Sequence, residues 1–223
     1  MAGCRILLVW VMALAGLWGC GAMPGKDAEP APPPDLLVWT MRQYAVRGEF
    51  AETQPLIKAR NWAGLATLAR KKLERQPNRG EWWQAAGYGY LQAGDLAQAR
   101  ECLARAARLL PEEVGIMNLY AATLMRQGDT RAAAQALDRA LQIDPTSGVA
   151  WVLSGDLHAA AGRAREAQVA YERAIEIDGR DVFAWLALGN LAKKTGDRAA
   201  LERAVAALVS IYPPFARDLG APK

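Results

Sequence analysis

Side chains able to do chemistry are few along this chain, and they do not converge. His158 is the single histidine. A metal centre or a catalytic triad needs several ligands or bases brought to one point, and this imidazole has no second histidine to share a site with, so it reads as a packed residue with one satisfied nitrogen. Cys102 stands beside an apolar helical stripe and reads as a small buried filler, not a nucleophile. Carboxylates are plentiful, but they lie on polar helix faces, which gives a paired-acid hydrolase no support. Each glycine of interest is accounted for by a turn or a close helix contact, so no loop is left to cradle a phosphate. Catalysis, a bound metal and a cofactor are therefore not expected. What remains is recognition.

The elements that would present such a surface are written in the spacing of glycine and proline. Gly94, Gly128, Gly162 and Gly196 fall at intervals of 34, as do Pro111 and Pro145, with Pro213 three periods after Pro111. A period of that length is that of stacked helical hairpins. It defines four units, 80–113, 114–147, 148–181 and 182–215, and other columns repeat with it. Position 4 holds Trp83, Met117, Trp151 and Trp185; position 8 holds Gly87, Ala121, Gly155 and Gly189; position 20 holds Ala99, Ala133, Ala167 and Leu201; position 27 holds Ala106, Ala140, Ala174 and Leu208. Large and small residues at fixed places let two antiparallel helices nest. Gly94 ends one helix and Asp95 caps the next, with Gln98 at N3 as a capping box, and Gly128-Asp129 and Gly196-Asp197 repeat the device. Leu96, Ala99, Leu103, Ala106 and Leu110 make one apolar helical face, which Pro111 stops. Gly179 in place of proline predicts a looser junction after unit three, and Leu201 and Leu208 predict a modified last unit.

The order Trp, Leu, Gly, Tyr, Ala, a large residue, Ala and Pro resembles the tetratricopeptide repeat family over about three fifths of the chain. The resemblance implies an all-α, right-handed superhelical solenoid of helix-turn-helix hairpins that binds peptide or helical segments of partner proteins on its inner wall. In that family unit positions 2, 5, 9, 12 and 13 face inward. Carried over, they give Glu81, Gln84, Tyr88, Leu91 and Gln92, then Asn118, Ala122, Met125 and Arg126. Unit three gives Val149, Val152, Asp156, Ala159 and Ala160, and unit four gives Phe183, Leu186, Asn190, Lys193 and Lys194. The implied wall has amides and an aromatic at one end, apolar residues in the middle and basic ones at the far end. Gln84 and Asn118 would hydrogen-bond a peptide backbone, and Arg126, Lys193 and Lys194 would attract acidic groups. Gln84 and Tyr88 replace the first-unit Lys and Asn of the family's two-carboxylate clamp, so that ligand is not expected.

Both ends of the repeat array depart from the pattern. Residues 36–79 read as N-terminal helices and a degenerate leading unit: a capping helix from Leu36 to Val46, then Asn61 to Pro77 with Leu65, Leu68, Ala69 and Leu73 inward, while Pro55 interrupts any longer helix. The last helix, Ala199 to Tyr212, carries Val209, Ile211 and Tyr212 beyond its expected core side. Unless Phe215 and Leu219 fold back over it, this end is a docking surface for a homodimer or another protein, centred on Ile211 and Tyr212. Residues 216–223 form a short tail.

The chain begins with Arg5, an apolar run from Ile6 to Trp18, and Gly19-Cys20, which reads as a secretory signal peptide over residues 1–19. Leu17-Trp18-Gly19-Cys20 resembles the lipobox of bacterial lipoproteins. That resemblance implies lipidation of Cys20, and with no Asp at Gly21 it implies an outer-membrane anchor facing the periplasm. Residues 20–35, with Pro30, Pro32, Pro33 and Pro34, read as a stiff solvated tether. The uncharged stretch Ile6 to Met23 also stands close to the minimum for a membrane span, which keeps an uncleaved anchor open. A pI near 9.1 raises nucleic acid as a partner, but basic residues are dispersed among acids, as in Glu101 with Arg105 and Arg70 with Glu74, and no basic run interleaves with aromatics. Nucleic-acid binding is not expected. The whole reads as a scaffold lipoprotein of the bacterial envelope, with pilus or secretion-machine assembly ahead by analogy. The alternative is a membrane-anchored accessory subunit or chaperone of an inner-membrane complex such as cytochrome c maturation.

Overall fold

Four glycines in the left-handed region set the architecture: φ is +86° at Gly94, +78° at Gly128, +74° at Gly162 and +79° at Gly196. Nothing lies within 4 Å of where a Cβ would stand at any of them, so the demand for glycine there is conformational and not steric. At each turn the amide of the residue after the glycine donates back to the carbonyl five residues earlier, from Asp95 to Tyr90 and Asp129 to Leu124 at 2.9 Å, Arg163 to His158 at 2.9 Å and Asp197 to Ala192 at 3.0 Å. At three of the four turns the following helix is then capped by a side chain, that of Asp95, Asp129 or Asp197.

A computed structural model describes residues 48–220. The expected signal segment, Cys20, the tether and the capping helix from Leu36 lie outside the described residues, as does the end of the tail. A 3-10 turn, Gly48–Thr53, leads into the short α1 (Gln54–Lys58) and then α2 (Trp62–Arg75). The repeat hairpins are α3 (Gly80–Ala93) with α4 (Leu96–Leu109), α5 (Val114–Arg126) with α6 (Thr130–Ile143), α7 (Gly148–Ala160) with α8 (Ala164–Ile177), and α9 (Val182–Thr195) with α10 (Arg198–Ile211). A final short helix, α11 (Pro213–Asp218), closes the stack. Each helix packs on its hairpin partner and on the next hairpin, and among the described residues there are no strands: the fold is an all-α solenoid.

Burial follows the columns. Ala99, Ala133 and Ala167 at position 20, and Ala106, Ala140 and Ala174 at position 27, are fully buried. At position 8 glycine admits a neighbour: a Cβ on Gly155 would overlap the ring of Tyr171. In the leading segment Leu65, Ala66, Ala69 and Leu73 are buried on α2 and Leu68 is half-buried, while Phe50 packs on Trp82 with ring centroids 4.4 Å apart.

The position 4 tryptophans do more than fill space. Trp83 Nε1 donates to the Pro77 carbonyl at 2.8 Å, Trp151 Nε1 to the Pro145 carbonyl at 2.9 Å and Trp185 Nε1 to the Gly179 carbonyl at 2.9 Å. Each bond ties a helix to the turn that delivers it. The junction at Gly179 is therefore closed by the same bond as those at Pro77 and Pro145, and the looser junction expected there is not seen. Charge pairing also differs from expectation. Among the described residues the ion pairs do not include Glu101 with Arg105 or Arg70 with Glu74; instead Arg100 meets Asp129 at 3.3 Å, Arg139 meets Glu112 at 2.8 Å and Arg203 meets Glu172 at 3.0 Å. These pairs reach from one repeat unit to the next, where they reinforce stacking only modestly because they are exposed.

At the far end Phe215, Ala216 and Leu219 are buried against Ala204 and Leu208, with Leu201, Val205 and Trp185 around them. The leucines that replace alanine in unit four face this cap, α11, where an inner unit would meet the next hairpin. Leu219 fills the space over Gly189.

Candidate functional site

The inward-facing residues named from the sequence divide into two groups. In the first two units Gln84, Tyr88 and Asn118 are buried, at 1%, 0% and 2% exposure, so a ligand cannot reach the wall they were expected to form. Neighbouring elements meet Tyr88 and Asn118. Trp62 of α2 stands edge-on to Tyr88 with centroids 5.5 Å apart, and Asn118 Nδ2 donates to Ser147 Oγ at 3.4 Å, which places it at the capped start of α7. Met125 is half-buried, and exposed Arg126 donates to the Leu91 carbonyl at 3.1 Å, committing its guanidinium to the neighbouring hairpin.

In units three and four the named residues do come together. A groove of about 400 Å³ runs between α7 and α9, and Val152, Asp156, Phe183, Asn190 and Lys194 all line it, with Ala159, Leu186, Ala187 and Leu191. Lys193 is exposed but does not line it. The helical register explains the set, because positions 5, 9 and 12 of α7 and positions 2, 5, 9 and 13 of α9 recur at steps of three and four and so share one helix face.

Tyr171 also lines the groove, and the sequence reading missed it. It belongs to α8, at position 24, where the other units carry Leu103, Leu137 and Val205. Its ring crosses the hairpin over Gly155, and its hydroxyl donates to Asp156 Oδ1 at 2.7 Å. A lone tyrosine in an aliphatic column, with a glycine opposite on α7, was the available signal. Burial pushes the Asp156 carboxyl above its usual range, partly opposed by the Tyr171 hydrogen bond. Burial also raises the Tyr171 hydroxyl, and the nearby Asp156 charge adds to the effect, so the tyrosine stays a neutral donor. No cation is within ion-pair distance of Asp156 among the described residues. At the start of α9, Asp181 is likewise raised by burial, while the amides of Phe183 and Ala184 that it caps at 2.8 and 3.0 Å act the other way.

Elsewhere the structure offers less. A second, smaller cavity of about 300 Å³ lies where α8 meets α9 and α10, lined by Arg165, Gln168, Thr195 and Asp197 among others. His158 is half-buried, and its Nδ1 is buried without a hydrogen-bond partner. Among the described residues no three His, Cys, Asp or Glu side chains gather where they could hold a metal. Ile211 and Tyr212 are each half-buried, and Tyr212 stacks edge-on against Phe215 with centroids 4.8 Å apart. Of the two sequence alternatives for this end, the fold-back of Phe215 and Leu219 is the one observed, so Ile211 and Tyr212 border a cap in place of an open docking face.

Residues 124–193 match the tetratricopeptide repeat family model. Among solved structures, that of MamA superposes with a TM-score of 0.57 at 21% identity, covering 74% of this chain and 92% of that one. TTC0263, a thermophilic tetratricopeptide-repeat protein of Thermus thermophilus, superposes at 0.62 with 19% identity over 82% of this chain and 93% of its own. YrrB, described as a TPR protein with an unusual peptide-binding site, superposes at 0.55 with 16% identity over 82% and 97%. Identities this low establish the shared fold. No curated protein matches.

Proposed function

We propose that this chain, a tetratricopeptide-repeat protein, works as a non-catalytic scaffold that holds an extended or helical segment of a partner protein in the groove between α7 and α9. The observation that carries this is the convergence of seven inward-facing residues, from Val152 to Lys194, on one open groove of about 400 Å³ with apolar walls and polar groups at fixed points. Such a mixture suits peptide recognition, with apolar walls supplying affinity and placed polar groups supplying register. The YrrB description, naming a peptide-binding site on the same fold, supports the reading by analogy. A photo-reactive amino acid placed at Leu186 in the groove, and separately at the exposed Val169 on α8, tests it in cells. Crosslinks from Leu186 to a defined segment of another protein, with none from Val169, are expected. Equal labelling from both positions would overturn the assignment.

The setting in which that scaffold works rests on Leu17-Trp18-Gly19-Cys20 and the proline-rich stretch after it, which support a lipoprotein of the bacterial envelope serving the assembly of a pilus or secretion machine. Among the described residues no helix is long and apolar enough to cross a membrane. Mass spectrometry of the mature N-terminus decides this part. Diacylglyceryl-modified Cys20 is expected; an intact Met1 would point to the membrane-anchored accessory subunit instead.

A further inference from the structure

We propose that the groove between α7 and α9 selects a lysine or arginine side chain of the bound segment, with the Asp156 carboxylate as its partner; this deepens the scaffold reading and rests on it. Asp156 is the one carboxylate among the residues lining the groove. Its Oδ1 is fixed by the Tyr171 hydroxyl at 2.7 Å, and no ion pair among the described residues engages it. A neutral phenol orients a carboxylate without neutralising it, so Asp156 reaches the groove as a held, partly desolvated negative charge. Charges in that condition are costly unless paired, and a cation delivered by a ligand would supply the missing partner. The walls fit the rest of such a side chain. Val152, Leu186 and Leu191 would cover a four-carbon stem, while its head reaches Asp156, the division of apolar body and charged tip that long basic side chains favour.

The cations that the sequence offered for an acidic ligand are not arranged for one. Arg126 is engaged with the Leu91 carbonyl and Lys193 does not line the groove. Lys194 alone remains, and it is exposed, where solvent screens it. It opposes a bound cation weakly, and that sets an opposite sign for its removal in the two cases.

The full chain in detergent, titrated by fluorescence anisotropy with acetylated decapeptide pools whose central residue is fixed as Lys, Arg, norleucine or Glu, tests the inference. Lys and Arg pools are expected to bind at least about tenfold more tightly than norleucine or Glu pools. Asp156→Asn should erase that preference without lowering the melting temperature, since Asn still accepts the Tyr171 hydrogen bond and the uncompensated charge is gone. Tyr171→Phe should reduce the preference, and Lys194→Ala should leave it intact or increase it. Norleucine binding as well as lysine in the parent protein would overturn the charge selection and leave the scaffold standing. A Glu preference lost in Lys194→Ala would reverse the assigned ligand charge. Binding of every pool undiminished by Leu186→Asp would overturn the groove and the inference together.

Discussion

Cys102 shows how a single side chain registers its packing. It is fully buried, and burial pushes its thiol from 9.0 up to about 11, with the nearby Arg70 opposing only in part. The native state therefore keeps a proton that the unfolded chain releases first. Below pH 9 the two states bind it equally; from about pH 9 to about 11 stability falls with rising pH, by at most about 1.4 kcal/mol per pH unit from this group. Urea unfolding at pH 8, 9 and 10 should show that fall, and Cys102→Ala should show a shallower one; parallel slopes would assign the loss to other groups. Trp185 makes a second case. Trp185→Phe keeps the ring but removes the donor to the Gly179 carbonyl, and about 1 kcal/mol of unfolding free energy should go with it. Position 4 was legible as a large residue, yet the bond was not, because its acceptor is a main-chain carbonyl whose direction depends on the turn. Tyr171 escaped for a related reason: its partner, Asp156, lies across the hairpin and is set by packing, not by spacing along one helix.

Helices and turns were the most legible layer, since a 34-residue period states the same hairpin four times and each copy checks the others. Unit three tests what the period requires. Its turn carries Gly162 at φ +74° like its counterparts, but Arg163 stands where three units have aspartate, and α8 has no side-chain cap. The hairpin forms nonetheless, with the Arg163 amide bonded to the His158 carbonyl at 2.9 Å, so the left-handed glycine and its backbone bonds suffice. Asp95, Asp129 and Asp197 add stability on top of that. Arg163→Asp should then gain about 1 kcal/mol, by accepting from an amide in the first turn of α8 as Asp129 does from Ala132 at 3.1 Å. Thermal unfolding by circular dichroism would show it as a rise in midpoint; an unchanged or lower midpoint would mean that the cap geometry is not available there. The inner wall was less legible than the helices for a reason of the same kind. Family positions state which way a residue faces, whereas its exposure depends on what packs over it: Gln84, Tyr88 and Asn118 are buried, while the groove at Asp156 is open.

A stack of hairpins has no internal reason to stop, and the way this one stops bears on whether the molecule associates with itself. Every inner hairpin hides its apolar face under the next. In unit four that task falls to α11, which brings Phe215, Ala216 and Leu219 onto Ala204 and Leu208. The cap is small, and one residue holds much of it. Leu219 is 4% exposed and fills the space above Gly189, beside Ala204. Leu219→Glu places a charge in that seat and should cost about 3 kcal/mol, in the range of deleting a buried leucine side chain. With α11 displaced, Leu201, Leu208 and the face of Tyr212 toward it would meet solvent together, next to half-buried Ile211 and to Val209, which is already 53% exposed. The apolar end expected from the last helix would then exist, created by the mutation. Sedimentation equilibrium should show Leu219→Glu associating at concentrations where the parent chain does not. A variant that loses stability yet keeps the parent's mass would mean that α11 is a brace for unit four, and that Ile211 and Tyr212 have no affinity for a second copy even when uncovered.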